Sequence, residues 1–171
     1  VRNAVFSVLV AAALMLVYIA VRFDFASGLA AVLGLVHDVL IMLSFMVILR
    51  NFIQMNSSFI AAMLTIVGYS INNTIIIFDR IRENRKKPGC AGMSRTQVVD
   101  LSVRESLGRT LNTTLTTLVT IVCLYVLGVS AIREFSLPII VGVLAGVYSA
   151  NLINGYLWAA LEDLRLGKGK K

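Results

Sequence analysis

Five blocks of almost uninterrupted apolar residues, 4–21, 28–49, 59–78, 111–128 and 135–158, set the terms on which this chain can fold. Each is close to the roughly 20 residues a helix needs to cross about 30 Å of hydrocarbon. In lipid every backbone N–H and C=O must be satisfied inside its own segment or in a closed barrel. The blocks show no barrel-type alternation, so the sequence predicts an all-α, polytopic bundle of five transmembrane helices forming one domain. Composition agrees, with 58% of residues hydrophobic and 15% charged, against about 25% charged in soluble domains.

Lys and Arg set the expected orientation. The loop 79–109 carries Arg80, Arg82, Arg85, Lys86, Lys87, Arg95, Arg104 and Arg109, the tail 159–171 carries Arg165, Lys168, Lys170 and Lys171, and the turn before the second block carries Arg22. The other face has only Arg2, Arg50 and Arg133. Basic residues collect on the cytoplasmic side, so the long loop and C-terminus are expected inside and the N-terminus outside. Basic clusters beside spans suit anionic lipid headgroups, and their confinement to span ends speaks against a nucleic-acid partner. Residues 4–21 lack a small-residue cleavage pattern and a preceding basic run, so they read as a span and not a signal peptide. The chain opens on Val1, and the expectation is that sequence precedes it.

The long loop carries its own helix signals. The third helix is expected to continue through Asp79–Lys87, supported by a Glu83/Lys87 pair at i,i+4 and ended by Pro88-Gly89. Ser94-Arg-Thr-Gln97 is a capping-box pattern. It starts a helix with Val99, Val103 and Leu107 on one side and i,i+4 pairs Asp100/Arg104 and Glu105/Arg109. That helix is expected to run into the fourth span unbroken.

Polar groups inside the blocks carry the chemistry, because each is costly in hydrocarbon. His37 and Asp38 sit mid-span in the second block. Neighbours on a helix point about 100° apart, so they are not expected to form a dyad on one face; they are candidates for a proton relay or charge partner, or a satisfied polar pair. In the third block Ser70, Asn73 and Thr74 share a face, with Thr65, Gly68 and Asn72 beside it. This arc is wide enough to predict a helix interface that admits water or an ion. Asp79 lies about 9 Å further along the axis. In the fourth block Thr110, Thr113, Thr117 and Thr120 line one face below Arg109, which is always charged and favours a carboxylate. Their hydroxyls either line a hydrated path or bond back to helix carbonyls. The fifth block has Gly142-Val-Leu-Ala-Gly146 followed by Ser149, a close helix-packing pattern. Pro138 is placed near its start, and Asn151 and Asn154 extend its polar side. Cys90 and Cys123 fall in different regions and are expected to be unpaired. With one His and no Gly-rich phosphate loop, no metal, cofactor or enzymatic site is expected.

The stretches LVYIAVRFDF, GLAAVLGLVHDVLI, AAMLTIVGYSINNTIIIFDRIREN and RESLGRTLNTTLTTLVT together resemble the SecF family of protein-export membrane subunits, within the RND-type superfamily. The resemblance covers essentially the whole chain and implies a SecDF-like transmembrane bundle in the cytoplasmic (inner) membrane. It implies a SecD-like partner, a SecYEG channel and use of the proton gradient to help move exported polypeptide. Family members carry a further span and a periplasmic domain upstream, so contact with the exported chain is expected through that part. The family pattern Gly-Tyr-Ser-x-Asn-Asp-Thr is met by Gly68, Tyr69, Ser70, Asn72 and Thr74. Asn73 stands at the position of the family's proposed proton-carrying Asp, and Arg109 matches the family arginine. An amide cannot ionise, so coupling in this chain needs Asp79, Asp38 or a partner carboxylate. Two alternatives remain: a non-coupling structural scaffold of the same complex, and a small-molecule RND-type transporter.

Overall fold

A computed structural model describes residues 23–49 and 57–168, together with Phe6, Val10, Ala13, Leu14, Val17, Tyr18 and Val21. These last seven are helical; the rest of the block 4–21 lies outside the described residues. Among the described residues the structure is helical throughout, with α1 Phe25–Ile48, α2 Ser57–Asn84, a 3₁₀ turn Pro88–Cys90, α3 Arg95–Leu127, α4 Ser130–Ser149, a π-helical segment Ala150–Asn154, and α5 Gly155–Lys168. The last three run on as one rod. Four helices among the described residues are long and apolar enough to cross a membrane, the rod from Ser130 to Arg165 counting as one.

The ends follow from local chemistry. α2 stops at Asn84, three residues short of the expected Lys87. Pro88 forces Lys87 out of the helical region, to φ −75° and ψ 131°, and the last turn tightens to Lys86 N–H→Glu83 O and Lys87 N–H→Asn84 O bonds. Ser94 and Gln97 form the expected capping box at the start of α3, which runs unbroken into the fourth apolar block. Arg133 reaches back across the two-residue turn to the carbonyls of Gly128 and Val126, at 2.9 and 3.1 Å, taking up orphan acceptors at the α3 C-terminus. α4 begins at Ser130, so Pro138 lies inside the helix and not near its start. The missing N–H there removes one backbone bond.

Small residues bring the helices together. On α1 a stripe at i,i+4 spacing is buried: Ala30, Gly34, Asp38, Met42 and Met46. Gly142 and Gly146 of α4 lie against Ile66 and Ser70 of α2: a Cβ on Gly142 would overlap the Ile66 side chain, and one on Gly146 would sit 3.2 Å from Ser70 Cβ. The expected close-packing face therefore pairs i,i+4 with i,i+4 across α2 and α4, a ridges-in-grooves contact.

Two apolar cores result. One holds Ala30, Ile77, Phe78, Ile81, Val99 and Trp158; the other holds Met42, Met46, Ala62, Ile66, Ile139 and Val143. On α1, on α2 and on the α4 rod, the residues between the two cores are polar: Asp38; Ser70, Asn73 and Thr74; Ser149.

Candidate functional site

The polar layer is built around Asp38, which is fully buried. Ser70 of α2 donates its hydroxyl to Asp38 Oδ2. Ser149 of α4 donates to the same oxygen at 2.8 Å. His37 Nδ1 lies 3.1 Å from Oδ1. The expectation that His37 and Asp38 point apart is corrected: the imidazole folds back along its own helix and stacks on Tyr148, with ring centroids 6.3 Å apart. Three helices thus meet at one carboxylate.

One helical turn nearer the basic end of the bundle lies a second tier. Gly34 is four residues before Asp38, Thr74 four after Ser70, and Asn154 follows Ser149 within the π segment. Asn154 Nδ2 donates to Thr74 Oγ1 at 2.8 Å, and Thr74 bonds back to Ser70 O. A Cβ on Gly34 would overlap Asn154 Oδ1, so only glycine leaves room for that amide. π segments are rare and recur at functional sites. This one carries Asn151 and Asn154 into the buried layer.

Asn73 is also fully buried, and neither end of its amide has a hydrogen-bond partner among the described residues. The Oδ1 atoms of Asn151 and Asn154 are likewise unpartnered. Most buried polar atoms find a partner, so three orphan carbonyl oxygens in one layer mark it as polar beyond its internal needs.

The predicted arc on α2 divides. Ser70, Asn73 and Thr74 face inward, whereas Asn72 faces outward. Asn72 lines an open groove of about 520 Å³ between α2 and α3, with Asp79, Arg80, Glu83, Glu105 and Arg109. Arg109 therefore sits with Asn72 and Asp79, and not in the Asp38 layer. At the groove's basic end Arg80 binds Glu105 at 2.7 Å and Glu83 at 2.6 Å, and Asn84 Nδ2 reaches Glu105 at 2.7 Å and Ser102 at 3.0 Å. Asn84's amide, and then Arg80, hold the Glu105 carboxyl below its ordinary range. Arg80 does the same for Glu83. The expected Glu83/Lys87 pair forms at 3.4 Å. Glu105 pairs with Arg80 and not Arg109, and Asp100 accepts from Tyr156 Oη and does not pair with Arg104. Tertiary partners on facing helices displace the i,i+4 ones.

Thr113 and Thr117 join neither site. Their hydroxyls bond to Arg109 O and Thr113 O on their own helix, both at 2.9 Å. Thr120 bonds likewise to Thr116 O. The Thr side chains that α3 buries are Thr110, which bonds back to Ser106 O at 3.1 Å, and Thr114, which accepts from Tyr69 Oη at 3.1 Å. Cys90 and Cys123 are free.

The family described as protein export membrane protein SecD/SecF, C-terminal, matches residues 1–164. The protein translocase subunit SecF of Alicyclobacillus acidocaldarius is 42% identical over 99% of this chain and 55% of its own length. The protein translocase subunit SecDF of Bacillus subtilis is 38% identical over 98% of this chain and 22% of its own. A crystal structure of SecDF in a super-membrane-facing form superposes with a TM-score of 0.87 at 42% identity, covering 98% of this chain and 22% of that one. Another, of SecDF from Thermus thermophilus, described as a translocon-associated membrane protein, gives 0.84 at 42% identity, covering 97% and 22%. The chain therefore spans about half the length of the SecF relative it matches.

Proposed function

The chain belongs to the SecD/SecF family of protein-export membrane proteins, and from that premise we propose that it forms the membrane-spanning part of a SecF-type translocase subunit. It is a multi-pass membrane protein by its family and its long apolar helices. In the proposed setting, the bundle sits in the cytoplasmic membrane with loop 79–109 and the C-terminus inside. It packs against a SecD-like subunit beside a SecYEG channel, has no catalytic role of its own, and helps proton-gradient-driven movement of an exported polypeptide. Contact with that polypeptide falls to parts of the protein beyond this chain. Arg82 and Arg85, which line a cavity of about 250 Å³ with Trp158 at the basic end, suit an anionic lipid headgroup.

The observation that carries this reading is the polar layer itself. A carboxylate, two serines and buried amides from three helices, closed between two apolar cores, are expensive to keep in a span unless they serve transport. Affinity capture of the full-length subunit from membranes in mild detergent tests it. Recovery of a SecD-like subunit and the channel is expected; their absence from the captured material overturns it.

Asn73 favours a second reading, in which the subunit is a non-coupling scaffold of the same complex. Its amide cannot ionise, and it lies buried without a partner among the described residues. Gradient-dependent export by the complex containing this chain, with Asn73→Asp adding nothing, excludes the scaffold. Export that responds to the gradient only after Asn73→Asp supports it.

A further inference from the structure

We infer that Asp38, loaded through His37, is the proton-carrying carboxylate of this chain, in place of position 73. The inference rests on the proton-coupled reading above and names the group that performs it.

Hydrogen-bond accounting at Asp38 singles out one oxygen. Oδ2 accepts from two hydroxyls, Ser70 and Ser149, so it acts as an acceptor whether the acid is charged or neutral. Oδ1 is left for the proton, and it faces Nδ1 of His37 at 3.1 Å. That contact survives both charge states. With Asp38 ionised, His37 donates its Nδ1–H. With Asp38 neutral, the new Oδ1–H donates to the Nδ1 lone pair.

The transfer balances without any further reactant. A proton binds Nε2 of His37 and makes the imidazolium. The Nδ1–H bond then breaks as Oδ1–H forms. A neutral carboxylic acid remains beside a neutral imidazole that keeps its hydrogen on Nε2. The reverse sequence releases one proton. His37 is the outer member of the pair, its side chain 34% exposed while that of Asp38 is fully buried, so the imidazole is the group that meets whatever adjoins this face of the bundle in the membrane.

Among the described residues the surroundings leave no competing acid. Asp38's hydrogen-bond and ion-pair partners are His37, Ser70 and Ser149. α2 otherwise brings neutral Asn73 and Thr74 to the layer, and the rod of α4 and the π segment brings Asn151 and Asn154. Tyr148 of α4 stacks on His37 and is, among the described residues, the other titratable group in contact with the pair. Neutralising Asp38 also has a mechanical result. Hydrogen bonds to a charged acceptor are about twice as strong as those to a neutral one, and both serine bonds weaken together. α1 then loosens from α2 and α4 at the level where the two apolar cores meet.

Infrared difference spectroscopy tests this on the full chain in lipid nanodiscs, without translocon or gradient, so its outcome is separate from export. One carboxylic-acid C=O component of the pH-difference spectrum is expected to be lost in Asp38→Asn and to have its midpoint displaced in His37→Gln. A spectrum in which every component persists unchanged in Asp38→Asn, or no titrating band at all, overturns the assignment. A midpoint that His37→Gln leaves unmoved removes His37 from the path and overturns the loading step. His37→Gln keeps a polar side chain at the surface, so it provides a reading even if Asp38→Asn does not fold.

Discussion

Ser149 and Asp38 stand 111 residues apart in the chain, and the serine hydroxyl donates to the carboxylate at 2.8 Å. Because Ser70 uses the same oxygen, removing the carboxylate strands the Ser70 hydroxyl and leaves Ser149 only the Gly146 carbonyl at 3.3 Å, whereas an amide still offers one acceptor. Asp38→Ala is therefore expected to cost about 3 kcal/mol and Asp38→Asn about 1 kcal/mol. Equilibrium unfolding in mixed micelles, followed by circular dichroism, measures both. Equal losses in the two variants would mean that the hydroxyl bonds contribute little.

Gly142 and Gly68 make a matched pair. A Cβ at Gly142 overlaps Ile66, while one at Gly68 meets nothing within 4 Å. Gly142→Ala is expected to destabilise by about 1–3 kcal/mol through overpacking. Gly68→Ala is expected to stabilise by about 0.5–1 kcal/mol through helix propensity. The same unfolding assay reads both, and the opposite signs are the test.

Asn73 holds a buried amide with neither end paired among the described residues. Replacing an unsatisfied group by an apolar one of similar size recovers a desolvation cost of about 1–3 kcal/mol. Asn73→Leu is thus expected to raise stability. A marked loss instead would show that the amide is bonded in the membrane, by water or by a second subunit.

The Glu105 cluster should respond to acid. Asn84 and Arg80 hold the folded-state carboxyl low, below an unfolded value near 4.3. Its contribution is present above that unfolded value and is lost as pH falls through the folded one. Glu105→Gln is expected to flatten the acid limb of a stability-against-pH curve below about pH 4.5 and to leave the neutral region's slope unchanged. An acid limb that keeps its full slope would remove Glu105 from the cause. Partial exposure of the cluster keeps the effect small.

Much of this arrangement was legible from residue order. Block length gave four of the five expected spans, the fifth lying on the block 4–21, most of which is outside the described residues; the capping box gave the start of α3, and Gly142/Gly146 gave a packing face on α4. The resemblance reached the family, which the match over residues 1–164 bears out. Other features depend on which helix stands opposite, and no local pattern encodes that. Ser149 read as part of a packing face, yet it completes the Asp38 site. His37 and Asp38 diverge on an ideal wheel, but a long ring can fold back to its neighbour. Asn72 and Asn73 are adjacent, so one faces the groove and the other the core. The inward placement of Asn84 had a readable signal: Ser70, Thr74, Ile77, Ile81 and Asn84 continue one face at spacings of three and four. Nothing in ANLIN announces a π turn.

That π turn sets the angular phase of everything after it. A π segment closes i→i+5 bonds where an α-helix closes i→i+4, so it holds one residue more than the plain helix would. Were Ala150–Asn154 to close as plain α-helix with all its residues kept, the residues beyond would turn by about 100° relative to α4. Trp158 and Ala159, both buried, would swing away from Ile81 and Val99, and Gly155, whose Cβ would sit 2.7 Å from Val99, would give up its place to a larger neighbour. The inserted residue works like a key cut between two halves of a shaft. It lets one helix present serine and asparagine to Asp38 and Thr74 at one level and tryptophan to the basic end at another.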